Sequence, residues 1–231
     1  QFLDLLMADN YIEKQFESYQ ARKMAWEKEN KYKRKKQVAT HAEPIKNHPC
    51  GRLFHNQSKK IVAIHDLSGV GRVSLMAVVP ILSSMGFQVC PLPTAILSTH
   101  TQYPVYSFLD LTDEMVRIIE KWEQLEIRFD AFYSGYLGSP QQVQIVEDFI
   151  QKFRRSTDLV VVDPVMGDNG NLYKGITEEM VTEMKKLICL ADIITPNMTE
   201  LCRLLDIPFQ EKMSDAGLKD ALKALSDKGP S

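Results

Sequence analysis

From Lys60 onward, short apolar runs alternate with segments whose apolar residues recur at helical spacing, so strand and helix periods take turns along the chain. "KIVAIHD" (60–66) is a short apolar run ending in polar residues; "VSLMAVVPILSSMGF" (73–87) has helical character, with a bend or break expected at Pro80. "QVCPLPT" (88–94) reads as extended. Next come a helix from about 112 to 126, a strand in "DAFYSGY" (130–136), a helix opening at Ser139 and a strand in "LVVVDP" (159–164). A helix from about 177 to 190, the strand "DIITP" (192–196), a helix from Asn197 and a last helix from about 215 to 226 complete the series. Ser139-Pro140-Gln141-Gln142 is a helix start with serine at the N-cap, proline at the first helical position and glutamine to return the capping hydrogen bond.

Strands that are apolar on both faces and separated by helices predict an α/β fold, a largely parallel sheet covered on each side by helices. In such sheets ligands bind beyond the carboxyl ends of the strands. Polar residues gather there: His65, Asp66 and Ser68 after the first strand, Ser134 and Tyr136 after "AFY", Asp163 and Asp168 after "LVVV", and Thr195, Asn197 and Glu200 after "DII".

Asp163, Gly167, Asp168 and the Asn197-x-x-Glu200 unit form a set suited to Mg2+, which takes a few carboxylate oxygens together with waters and substrate phosphates. Read alone, the two aspartates fit equally a strand-end cap and a turn in "GDNG", and Asn197 with Glu200 is also a capping box. "HDLSGVGR" places Gly69 and Gly71 after a strand, but a dinucleotide fingerprint needs a third glycine where the chain has Ser74, which excludes a nicotinamide site. "LSTHTQYP" gathers Ser98, Thr99, His100, Thr101 and Tyr103, a cluster that either binds a polar aromatic ligand or builds turns.

Residues 1–37 differ in kind, with Tyr11, Phe16, Tyr19 and Trp26 set in a background dense in Lys, Arg and Glu. They read as one charged helical extension, supported by pairs such as Glu27/Lys31. Residues 38–59 have Pro, Gly and Asn punctuation without a period and read as a linker; His41, His48, Cys50 and His55 within it match no zinc spacing. Over 231 residues the formal net charge is −2, which excludes a nucleic-acid-binding charge excess, and the four cysteines form no CxxC pair. Without a membrane-length apolar run or a secretory pattern, a soluble cytoplasmic protein is expected. Gln1 and the terminal "DKGPS" read as cuts in a longer chain.

"IHDLSGVGRVSLMAVVPILSSMGFQVCPLPTAILSTHT", "YSGYLGS", "VVVDPVMGDNGNLY" and "ADIITPNMTEL", in this order, resemble the pyridoxal/pyridoxine kinases of the ribokinase-like superfamily. The resemblance covers about residues 60–230 and implies a three-layer sandwich, incomplete at its C-terminus. It implies transfer of the ATP γ-phosphoryl group to the 5′-hydroxymethyl group of a vitamin B6 vitamer, with Mg2+, a monovalent cation as a further candidate, and a homodimer. By the same resemblance Asp66, His100, Thr101 and Tyr136 line the vitamin pocket. Asp163, Asp168, Tyr173, Thr195 and Asn197 serve the nucleotide, and Asp168 and Glu200 the metal. Many relatives have Ser where this chain has Asp66. The superfamily's glycine-rich "GTGD"-type motif, whose Asp deprotonates the alcohol, does not occur in the sequence. Two alternatives stand beside the kinase reading: a hydroxymethylpyrimidine (phosphate) kinase, or a non-catalytic ligand-binding remnant.

Overall fold

The computed structural model describes residues 58–101 and 103–229. The expected helical extension and all of the expected linker but Ser58 and Lys59 lie outside the described residues, as do His41, His48, Cys50 and His55.

In chain order the elements are β1 (Lys60–Ser68), α1 (Ser74–Ser84), β2 (Gln88–Leu97), β3 (Phe108–Asp110), α2 (Thr112–Gln124), β4 (Ala131–Ser134), α3 (Pro140–Phe153) and β5 (Leu159–Val162). A small hairpin comes next, β6 (Gly167–Asp168) and β7 (Asn171–Leu172), then α4 (Glu178–Leu187), β8 (Ile193–Ile194), α5 (Met198–Leu205) and α6 (Asp215–Ser226). The main sheet has the order β3-β2-β1-β4-β5-β8, with every pair parallel except β2–β3. The alternation expected from sequence is present, and β3 and the hairpin are additions to it.

β2 carries Pro91 and Pro93 inside a sheet, which a missing donor normally forbids. The parity explains it. The Gln88 N–H donates to the Lys59 carbonyl at the start of the β1 side, so the even positions of β2 aim their N–H groups at β1. Pro91 and Pro93 therefore lack theirs on the other side, where β3 pairs only with Ala95–Leu97. Pro80, where the sequence predicts a bend or break, interrupts no secondary structure: α1 continues through it to Ser84.

One face of the sheet carries the core. Val62, Ile64, Phe132, Val160 and Val162 are buried on it, together with Met115, Phe129, Phe149, Phe153, Met180 and Met184 from the layer of α2, α3 and α4. Trp122, Phe129, Phe132, Phe149 and Phe153 interlock there with ring centroids 4.8–6.1 Å apart. The β1→β2 and β4→β5 crossovers run in opposite directions across the sheet, so a right-handed connection puts α1 on the face opposite α3. α1 packs on β1 and β2. Farther along that face, Leu159 and Ile193 remain 42% and 44% exposed. Among the described residues no helix is long and apolar enough to cross a membrane.

β8 is an edge strand of two residues with an exposed isoleucine, an arrangement that templates pairing with another chain. The 231-residue chain is expected to associate with rising concentration in analytical ultracentrifugation, and Ile193→Lys should shift it toward monomer while changing stability by less than about 1 kcal/mol. A wild-type chain that stays monomeric and melts reversibly at every concentration contradicts this.

Candidate functional site

The strand order reverses at β1, whose sequence neighbour β2 lies on one side and β4 on the other. Parallel strands that diverge in this way leave a crevice beyond their carboxyl ends. Asp66 sits at this point, 6% exposed, and its Oδ2 accepts a hydrogen bond from the Ser68 hydroxyl at 3.1 Å. Its Oδ1 accepts from the Ser74 hydroxyl at the start of α1. Tyr136 leaves β4 beside it, half-buried; burial raises its phenol above the ordinary range, and the Asp66 charge adds to that shift. Gln142 braces this loop from inside α3. Its Nε2 reaches the Thr94 carbonyl at 2.9 Å and the Thr112 hydroxyl at 3.0 Å, while its Oε1 accepts from the Gly138 N–H at 2.7 Å. The Ser139 side chain caps α3 through the Gln142 N–H as expected, but the glutamine returns its bond to Gly138 rather than to Ser139.

His100 lies over the "GVG" turn. A Cβ on Gly71, where φ is +124°, would come within 2.8 Å of the His100 ring, so glycine is needed there for close packing as well as for conformation. The His100 ring also meets Tyr103 edge-on at 4.8 Å. Thr101 is exposed.

A second group surrounds the ends of β5 and β8. Asp163 is half-buried; burial raises its carboxyl, and the Thr195 hydroxyl, donating to it, counters part of that rise. Asp168 is exposed and accepts from the Asn169 N–H at 2.8 Å, which makes it a cap for the hairpin turn. Asn169 and Gly170 both have positive φ, 50° and 79°, the geometry of a type I′ turn. Gly167 serves its own hairpin: a Cβ there would collide with the Asn171 carbonyl of the adjacent strand. Tyr173 is 44% exposed, and its phenol is raised by burial and by Asp168, Glu200 and Asp163, so it feels all three acids.

Asn197 caps α5 by accepting from the Thr199 and Glu200 amides at 2.9 and 3.1 Å, and its Nδ2 donates to the Gly167 carbonyl at 2.8 Å. Glu200 is 3% exposed; its Oε2 accepts from the Asn197 N–H at 2.9 Å and its Oε1 from the Met166 N–H at 3.0 Å. The capping box is complete. Burial pushes the Glu200 carboxyl up to about 6 against the opposing pull of these amides. The carboxylate thus ties the β5–β6 loop to the start of α5 and leaves lone pairs over for a further donor or cation.

Tyr133 is not among the edge residues expected from sequence, and His65, which the sequence places at that edge without a role, stands with it between the two groups. Their rings meet edge-on at 4.6 Å, and the Tyr133 phenol is raised first by burial and then by Asp163. His65 is 4% exposed, burial lowers it to about 4, and a Cβ on Gly135 would collide with its Nδ1. Among the described residues, His65 Nε2 and Ser134 Oγ are buried without a hydrogen-bond partner. The alternation of β4, which puts Tyr133 on the face opposite Phe132, is the sequence signal for this link. Ser74 carries no such signal, since it enters the site only because its backbone takes a φ of +50°.

The donors present are carboxylate, carbonyl and hydroxyl oxygens, the ligand chemistry of Mg2+. No three His, Cys, Asp or Glu side chains converge on one point among the described residues, so the fit is to an ion that takes most of its ligands from phosphate and water.

Comparison with known proteins agrees with the architecture, which is ribokinase-like. The family model described as phosphomethylpyrimidine kinase matches residues 79–231, and the chain belongs to that family. A pyridoxal kinase of Vibrio parahaemolyticus is 32% identical over 181 residues, 74% of this chain and 60% of its own. A Bacteroides thetaiotaomicron protein described as a candidate phosphomethylpyrimidine kinase, crystallised with pyridoxal, is 64% identical with a TM-score of 0.74 over 75% of this chain and 61% of its own. Leishmania donovani pyridoxal kinase, in complex with ADP and pyridoxamine, is 26% identical with a TM-score of 0.69 over 75% of this chain and 60% of its own. The chain spans about three-fifths of the length of these proteins.

Glu200→Ala leaves the Met166 and Asn197 amides without their acceptor, and should cost about 2–4 kcal/mol in urea unfolding. The neutral His65 gives an acid limb of defined sign. Below its ordinary value of 6.5 the unfolded chain takes up the proton first, so stability falls as pH drops from 6.5 to about 4. Across that window wild type should lose about 3 kcal/mol relative to His65→Gln. Equal pH dependence of the two would count against the buried neutral ring.

Proposed function

We propose that the chain forms the vitamin-binding and nucleotide-binding parts of an ATP-dependent kinase that phosphorylates the 5′-hydroxymethyl group of pyridoxal, pyridoxine or pyridoxamine. One observation carries the reading: in a chain 64% identical to a protein crystallised with pyridoxal, the Asp66–Tyr136 group and the Asp163–Thr195–Glu200 group line one edge of the sheet and are linked through Tyr133. The ADP bound to the Leishmania relative supports the nucleotide half.

In this reading Asp66, His100, Thr101 and Tyr136 hold the vitamin. Asp163, Tyr173, Thr195 and Asn197 face the phosphate end of the nucleotide. Asp168 and Glu200 hold Mg2+, which, when bound, neutralises charge developing on the transferred group. The Glu200 carboxyl, held near 6, loses its proton more readily once a cation sits beside it, so Mg2+ affinity should rise with pH through that region. A cytoplasmic site of action fits the need for ATP, and the homodimer of related kinases is carried over as part of the same proposal.

A second reading, a hydroxymethylpyrimidine (phosphate) kinase, is favoured by the family model's own description as phosphomethylpyrimidine kinase. Competition binding separates them: pyridoxal should displace a bound hydroxymethylpyrimidine, and the reverse order of affinity would support the pyrimidine kinase.

Phosphoryl transfer depends on preorganised charge, and removing one oxyanion-type donor costs about 10²–10³ in rate. The 231-residue chain, which has no glycine-rich Asp motif, should bind pyridoxal yet release no ADP in response to it at ordinary enzyme rates. Steady pyridoxal-dependent ADP release by this chain would show that another group serves as base.

A further inference from the structure

We propose that Gln142, acting with Thr94, is a positioning residue of the vitamin site: its buried carboxamide sets the Tyr136 loop against the β2–β3 hairpin that bears His100 and Thr101. Ligand affinity then depends on a side chain that no ligand touches. The inference rests on the proposed vitamin site and adds to it a residue outside the binding contacts.

β4 ends at Ser134, and the Gly135 N–H still donates to the Ile64 carbonyl of β1 at 2.9 Å. Beyond that bond, side chains meet the loop at both ends. The Thr94 hydroxyl donates to the Tyr136 carbonyl at 3.0 Å, and Gln142 Oε1 accepts from the Gly138 N–H at 2.7 Å. Gln142 and Thr94 are fully buried, as is Leu137 between the two anchored residues. The other end of the carboxamide faces the hairpin. Its Nε2 reaches the Thr94 carbonyl at 2.9 Å, the Thr112 hydroxyl at 3.0 Å and Asp110 Oδ2 at 3.2 Å, so two hydrogens serve three acceptors. Asp110 ends β3, and its Oδ1 accepts from the Thr112 N–H at 2.8 Å at the start of α2. Ser98 and Ser107 close the segment that bears His100 and Thr101: the Ser107 N–H donates to the Ser98 hydroxyl at 2.9 Å, and the Ser98 N–H to the Ser107 carbonyl at 3.2 Å. One buried amide thus ties both halves of the vitamin site together.

The position calls for a donor toward the hairpin and an acceptor toward the loop, and a carboxamide supplies both at one centre. Glutamate in its place would still accept from Gly138, but it has no hydrogen for the Thr94 carbonyl and sets a second carboxylate against Asp110. The Thr94 carbonyl would keep the Leu111 N–H, which donates to it at 3.1 Å. The loss therefore falls on the placement of loop against hairpin rather than on an orphaned backbone group. Groups held in place before a ligand arrives lose little freedom on binding, and a misplacement of about 1 Å can cost about 10²-fold. The bonds of Gln142 run to β2, Asp110, Thr112 and the Tyr136 loop, and none runs to the ends of β5 and β8. The nucleotide group is thus independent of it.

The test is calorimetric titration of the 231-residue chain with pyridoxal and, separately, with Mg-ADP, for wild type and four variants. Gln142→Glu should bind pyridoxal about 10- to 100-fold more weakly and Mg-ADP as wild type does. Adding Asp110→Asn to Gln142→Glu reverses donor and acceptor across that contact, and should restore most of the pyridoxal affinity. Thr94→Val, which exchanges the hydroxyl for a methyl group of similar volume, should weaken pyridoxal binding by releasing the Tyr136 carbonyl. Val146→Ala, one turn farther along α3 in the core and outside the network, should lower the melting temperature and leave pyridoxal affinity unchanged. Wild-type pyridoxal affinity in Gln142→Glu or in Thr94→Val overturns the inference while leaving the vitamin site standing. So does an equal loss in Val146→Ala, which would make the effect one of stability alone, or a double variant no better than Gln142→Glu. Absence of any pyridoxal binding to wild type overturns the vitamin site and the inference together. Should Gln142→Glu fail to fold, Thr94→Val and Val146→Ala decide.

Discussion

The parallel pairing of β1 on both of its edges is the constraint on which the rest of the molecule depends. With β2 on one side and β4 on the other, Ile61, Val62, Ala63 and Ile64 are buried from both faces, and the strand order must reverse at this position. Chains leaving β1 and β4 at their carboxyl ends separate to opposite sides and open a crevice that no single strand could form. The loop leaving β1 therefore meets the loop leaving β4, and Asp66 and Tyr136 become neighbours although they are far apart in sequence.

Protein donors hold the buried carboxylates of this edge before any ligand arrives. Glu200 accepts from two backbone amides that would otherwise be left unpaired, and Asp66 accepts from two serine hydroxyls. In each case the fold needs the acid and the acid is preorganised by the fold, and of the two uses posed by "NMTE" the cap is the one the structure contains. Such groups lose little freedom on binding, which is how a site gains affinity without additional contacts. His65 and Tyr133 continue the same edge toward Asp163 and give the two groups of polar residues a shared wall.

Much of this is legible in the sequence because hydrophobic period and chain order determine a doubly wound sheet. The strands, the later helices and the capping signals at Ser139 and Asn197 stand where the pattern puts them. Pattern and structure part where tertiary context outweighs a local signal or where a short signal is easily passed over. The two-residue strands β6 and β7 are too short for a period, although Asn169-Gly170 is a type I′ turn pair that announces a hairpin. Pro80 suggests a break that α1 does not show. Gly167 is needed for close approach to the adjacent strand of its own hairpin, a tertiary cause that no local signal carries. Ser74 excludes one cofactor on sequence grounds, and only its left-handed backbone reveals the bond to Asp66.

The central claim is that one crevice along the carboxyl edge takes both a vitamin and a nucleotide. Amide chemical-shift mapping of the isotope-labelled chain with pyridoxal and with Mg-ADP tests it most directly. The account predicts that pyridoxal moves the amides of Asp66–Ser68 and Gly135–Tyr136, and that the nucleotide moves those of Gly167–Gly170 and Thr195–Glu200. Shifts confined to the outer surfaces of α2, α3 and α4, with that edge unmoved by either ligand, would contradict it.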